Sequence, residues 1–197
     1  MLSRTEARSQ LLLLAQGKPA TFELFLRTMA VVTAACQAEG YHPVIVGGHA
    51  VSIYTRGDYA TRDIDLVAPD SIAGILADLG FSRGREDRHW YHDELNLALE
   101  VPSCHLAGDS GRVVKLNLDG GGAVFLIGVE DLILDRLRAC VYWKSTVDCE
   151  WAGRLFAVHH QDIDLDYLLR AMEREPEGEH MRRRVEAWRL MVGDYGA

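Results

Sequence analysis

The chain has 197 residues, 48% hydrophobic and 25% charged, which is the make-up of an ordinary water-facing globular protein with room for one substantial core, or for a catalytic core and a small helical appendage. A formal net charge of -8 argues against a broad nucleic-acid-binding face, which needs clustered Lys and Arg. The one short basic run, Arg182-Arg183-Arg184, reads as a solvated helix face.

The longest apolar run near the start, Leu11 to Ala15, is too short to span a bilayer, and no cleavable-signal pattern precedes it. The expectation is a cytoplasmic protein with no membrane contact. Next in chain order, Phe22, Phe25, Leu26, Met29 and Val32 recur at helical spacing between Thr21 and Glu39, and Gly40 supplies a stop. Pro43 to Val46 is an apolar run that reads as a buried strand entering a Gly47-Gly48 turn, and Ala50, Val51 and Tyr54 suit a short helix. From Asp63 to Val67 acids and aliphatics alternate, a strand with Ile64 on one face and both aspartates on the other. Asp70 or Ser71 can cap a helix that runs to Leu79 and stops at Gly80.

Strand-like pieces follow at Phe81 to Gly84, His89 to His92, Leu95 to Val101, Arg112 to Leu118 and Ala123 to Ile127, with Asp119-Gly120-Gly121-Gly122 as a turn. Beyond Gly128 the pattern is helical: Glu130 to Trp143, Val147 to His159, Leu165 to Arg174 and Glu179 to Val192. These elements predict an α+β fold in two parts, residues 1–128 as a core and 129–197 as a helical subdomain. Cys36, Cys104, Cys140 and Cys149 include no C-x-x-C pair, so neither a zinc site nor a disulfide framework is expected, and they read as reduced, packed thiols.

The informative stretch runs from Val44 through Leu66. Two adjacent glycines let backbone amides approach a phosphate closely, and the start of the following helix favours its charge. Asp63 and Asp65, two apart on a strand, share one face about 6.6–6.8 Å apart along the chain. Such a pair suits one or two Mg²⁺ ions bridging to substrate phosphates. Bare carboxylates beside an apolar strand are costly unless solvated or bound. His89 and His92, three apart, point to opposite faces of their strand and do not share a metal; Trp90, Trp143, Trp151 and Trp188 read as packing residues, and His159-His160 as a helix end.

Gly47-Gly48, a fourteen-residue spacer and Asp63-x-Asp65 resemble the signature of the nucleotidyltransferase superfamily. The phrasing Gly-Gly-His-Ala and Thr-Arg-Asp-Ile-Asp-Leu is similar to bacterial AbiEii-type proteins, a group that includes toxin halves of abortive-infection and toxin–antitoxin pairs. The resemblance rests on residues 44–67 and extends to about 160. It implies a polymerase-β-like core, a short mixed sheet with helices on one face, and a helical C-terminal part. The implied activity is Mg²⁺-dependent transfer of a nucleoside monophosphate from an NTP to a hydroxyl of an RNA, a protein or a small molecule such as an antibiotic. An antitoxin partner is implied for a toxin-like member, and a nucleotide- or partner-binding module without turnover is the alternative.

The family's third carboxylate falls here on Glu100, ending the apolar strand Leu95 to Val101, with Asp119 as the fallback. Asp63, Asp65 and Glu100 are thus the expected catalytic and metal-binding residues, and Gly47, Gly48, Arg62 and Lys144 the expected nucleotide contacts. Arg56 is a second candidate for phosphate oxygens, behind Arg62. Lys144 and Asp148 read equally as an exposed i,i+4 pair. Gly48 stands where better characterised members often carry Ser, so a hydroxyl contact to phosphate is missing.

Overall fold

The computed structural model describes residues 2–61 and 63–194. Among these are a mixed seven-stranded sheet and eight α-helices, an α+β fold. The elements are α1 (Arg4–Gly17), α2 (Thr21–Gln37), β1 (Val44–Val46), α3 (Gly47–Tyr54), β2 (Asp63–Val67), α4 (Ile72–Leu79), β3 (Ser82–Arg83), β4 (His89–His92) and β5 (Leu97–Ser103). They continue with β6 (Val114–Asn117), β7 (Ala123–Leu126), α5 (Val129–Tyr142), α6 (Thr146–His159), α7 (Leu165–Met172) and α8 (Gly178–Asp194).

The strand order is β3-β4-β5-β2-β1-β7-β6. β1 lies antiparallel to β2 and parallel to β7, β2 runs parallel to β5, and the outer pairs are antiparallel hairpins. This order puts β2 and β5 side by side although 34 residues of chain lie between Asp65 and its neighbour Glu100. The alternation along β2 then decides which side chains go where: Ile64 and Leu66 are fully buried, while Asp63 and Asp65 face the other way. Leu97 and Leu99 repeat that pattern on β5 and leave Glu100 on the side of the aspartates.

α1, α2 and α4 pack on one another, and α2 also covers β7. Their buried side chains, among them Leu11, Met29, Val32, Ile75 and Leu76, form one core with the apolar face of the sheet. α1 falls in the stretch for which the sequence suggested no element. A reciprocal cap holds its start, with the Ser3 amide donating to Glu6 Oε2 at 2.8 Å and the Glu6 amide donating to Ser3 Oγ at 3.3 Å. α5 and α6 form an antiparallel hairpin that packs against α3, and α7 and α8 pack onto it. No helix of the described residues is long and apolar enough to cross a membrane.

Two expectations are corrected here. Cys140 and Cys149 are not free thiols; they form a disulfide between α5 and α6, and only Cys36, buried, and Cys104, exposed, are free. A helical hairpin brings residues nine apart to a Cα–Cα distance of 4.8 Å, a closeness that spacing rules for loops do not register. Lys144 and Asp148 are not one turn apart on a helix. α5 ends at Tyr142, and Ser145 caps α6 by accepting the Asp148 amide, so Lys144 sits exposed in the turn with φ 55° while Asp148 binds Arg136 at 2.9 Å.

Candidate active site

Asp63, Asp65 and Glu100 converge. Each offers a carboxylate oxygen within 4.8 Å of the others, and this is the one such group of possible metal ligands among the described residues. Sheet register makes the cluster: Asp65 lies opposite Glu100 on the parallel neighbour β5, and Asp63 precedes it by one full pleat on the same face. Asp119, the fallback, is not part of it.

The Gly47-Gly48 turn closes against the cluster from the β1 side, since Val46 is opposite Asp65. Gly47 has φ +59°, and a Cβ there would lie 2.1 Å from Asp65 Oδ2, so both backbone conformation and space demand glycine. The N-cap residue Val46 offers no side-chain cap to α3; the Gly48 amide instead donates to the Asp65 carboxylate, so the positive end of the helix points at the acidic cluster. At Gly48 a Cβ would meet Tyr59 Cε1 at 2.9 Å and Thr61 Oγ1 at 3.1 Å. The loop thus fills the space of a Ser side chain at this position and puts the Thr61 hydroxyl in its place, 3.3 Å from Asp63 Oδ1.

The electrostatics are those of crowded acids. Burial, then the charges of Asp63 and Glu100, push the Asp65 carboxyl up to about 6, against the opposing effects of the Gly48 amide and Arg136. Arg136 is the nearby half-buried cation. Burial disfavours its charge, but Asp135 and Asp148 more than compensate and hold its pKa above the usual value. Glu100 is also engaged from its other side, by Arg88 Nε at 3.2 Å and His89 Nε2 at 3.3 Å. His49, 2% exposed, places Nδ1 3.1 Å from the Asp63 carbonyl oxygen, and burial lowers its pKa, so its ring is neutral at ordinary pH. A hollow of about 300 Å³ adjoins the turn, lined by Phe22, Phe25, His49, Ser52, Tyr59 and Thr61 among others.

The expected nucleotide contacts divide. Gly47 and Gly48 are at the carboxylates; Arg62 lies outside the described residues. Lys144 lines a hollow of about 560 Å³ with Cys140, Cys149, His180 and Arg184, and Arg56 one of about 680 Å³ with Trp151, Arg154 and His159. Neither lining includes any of the three carboxylates. Spacing does not single out Thr61, His49, Arg88 or Arg136, and it brings up His89 only to set it apart from His92 as a metal ligand. His49 and Thr61 had a signal, since both stand beside the motif residues. Arg88 and His89 reach Glu100 only through the β4–β5 register, which puts His89 opposite it. No protein-family model matches the chain, and no curated protein is significantly similar to it.

Proposed function

We propose that the chain is a Mg²⁺-dependent nucleotidyltransferase with a polymerase-β-like core, moving a nucleoside monophosphate from an NTP to a hydroxyl acceptor on an RNA, a protein or a small molecule. The observation that carries this reading is the meeting of three carboxylates on adjacent parallel strands with a glycine-lined helix start whose N-cap residue offers no side-chain cap. Oxygen-only donors at this separation suit a hard cation such as Mg²⁺. Asp63, Asp65 and Glu100 would hold it, and when bound it would neutralise phosphate charge and polarise the phosphoryl group.

The chain's own groups have separable tasks. The first amides of α3 receive the terminal phosphates, with the Thr61 hydroxyl in the role of the Ser that Gly48 lacks. Arg136 adds positive charge beside Asp65 and so favours its ionised, ligating form. In the reaction the acceptor oxygen forms a bond to the α-phosphorus, the bond to the bridging oxygen of the β-phosphate breaks, and pyrophosphate leaves. Glu100 takes the acceptor's proton, and Arg88 pairs with its carboxylate, with His89 Nε2 close by.

A second reading, a nucleotide- or partner-binding module without turnover, draws on those same ion pairs, which occupy Glu100 from the side away from the aspartates. Incubation of the purified protein with each α-³²P-labelled NTP, Mg²⁺ and a cell extract separates the two. Transfer of label to an RNA, protein or metabolite, lost in Asp65→Asn, supports the enzyme and names the acceptor class. Mg-NTP binding with no transfer from any nucleotide favours the binding module.

A further inference from the structure

We infer that His49 is a positioning residue of the metal site, holding the Asp63 end of the carboxylate cluster through its Nδ1–H tautomer. This rests on the reading of Asp63, Asp65 and Glu100 as metal ligands. His49 is the third residue of α3, directly after the Gly47-Gly48 turn, and is almost wholly enclosed. Its Nδ1 lies 3.1 Å from the Asp63 carbonyl oxygen. A carbonyl only accepts, so the ring donates, and a neutral ring that donates from Nδ1 leaves Nε2 with a lone pair. Nε2 is buried and meets no hydrogen-bond partner, while Phe25 packs edge-on against the ring with centroids 4.3 Å apart. The tautomer follows from the one bond the ring does make.

The sheet itself gives the reason for that bond. β1 pairs with β2 only from Val44 to Val46, and Val46 is opposite Asp65. Asp63 therefore extends past the last β1 residue, at the level where the chain has already turned into α3. The His49 ring takes the place of the missing strand, seconded by the Thr61 hydroxyl at 3.3 Å from the same oxygen. One side chain thus ties the helix that carries the phosphate-binding turn to the end of the strand that carries the first carboxylate. Asp63 is the outermost of the three acids; β5 pairs with it through Ala98 on one side, and on the β1 side, where no strand residue faces it, this tie holds it. Groups that orient metal ligands from behind typically change metal affinity ~10–100-fold when removed.

The test uses the full chain and Mn²⁺ alone, with affinity read by electron paramagnetic resonance. Asn at position 49 presents an amide N–H near where Nδ1 lies, whereas Gln presents its amide near Nε2. Expected is near wild-type Mn²⁺ affinity in H49N and a loss of ~10–100-fold in H49Q, with both variants folded by circular dichroism. ¹⁵N spectra of the histidine-labelled wild type should show His49 protonated at Nδ1 and bare at Nε2. Equal retention or equal loss in H49N and H49Q, with wild type binding, overturns the role of His49 and leaves the metal site standing. A His49 protonated at Nε2 overturns it as well. Absence of Mn²⁺ binding by the wild type overturns the metal reading, and this inference with it.

Discussion

Replacing Asp65 by Asn should make the metal-free protein more stable while destroying its site. The Asp65 carboxyl is pushed from its ordinary 3.8 to about 6, by burial first and then by Asp63 and Glu100. A shift of about two units corresponds to at most ~3 kcal/mol, and because Asp65 is only partly buried, solvent screening reduces this to ~1–2 kcal/mol. The sign follows from proton counts. Between about 3.8 and about 6 the folded protein holds a proton that the unfolded chain has lost, so stability falls as pH rises through that window and stays reduced above it.

Asn carries no charge, keeps an oxygen for the Gly48 amide and adds no volume, so it removes the penalty at pH 8 and changes little in acid. In a chain of this size ~1–2 kcal/mol corresponds to a rise in melting temperature of roughly 2–8 °C. Thermal unfolding followed by circular dichroism, in chelator, should show Asp65→Asn above wild type at pH 8. The gap should close as pH drops through about 6 towards 4. Millimolar Mg²⁺ should raise the wild-type melting temperature and leave that of the variant unmoved. A variant less stable than wild type at pH 8 without divalent ions, or a gap that ignores pH, would refute the reasoning.

Gly47→Ala should lose at least ~2 kcal/mol and Mn²⁺ binding together, since the new methyl meets Asp65 Oδ2 at 2.1 Å and φ is +59°; denaturant titration and metal binding check the two losses. Arg136→Gln leaves Asp135 and Asp148 without their shared cation and should cost about 1–3 kcal/mol, discounted because both acids retain solvent contact. It should also move the pH midpoint of Mn²⁺ binding upward, because Arg136 lowers the Asp65 pKa; an unmoved midpoint would separate Arg136 from the site. Denatured protein alkylated without reductant should take up label at Cys36 and Cys104 only. Opening the Cys140–Cys149 bridge in Cys149→Ser should lower stability by ~2–3 kcal/mol, the chain-entropy value for so short a loop.

The motif was legible in the sequence because it is local. A two-residue spacing on a strand assigns Asp63 and Asp65 to one face whatever the sheet does around them, and Gly-Gly between an apolar run and a helix marks a tight turn. Most strands and the four C-terminal helices could be read for the same reason, through periodicity. α1 could have been read too, from Ser3 and Glu6 at capping-box spacing. Glu100 was reached through resemblance, not spacing, because nothing in thirty-odd residues of sequence says that β5 lies beside β2.

Tertiary structure decided the rest. Strand order set Glu100 against Asp65, strand register set His89 against Glu100, and a helical hairpin joined Cys140 to Cys149 and Arg136 to Asp148 while leaving Lys144 in the turn. The physical distinction is one of range. Backbone geometry fixes the direction of neighbouring side chains within a few residues, so faces and turns follow from the sequence alone. Which faces then meet depends on how whole elements bury their apolar surfaces against one another, and that is a property of the assembled core.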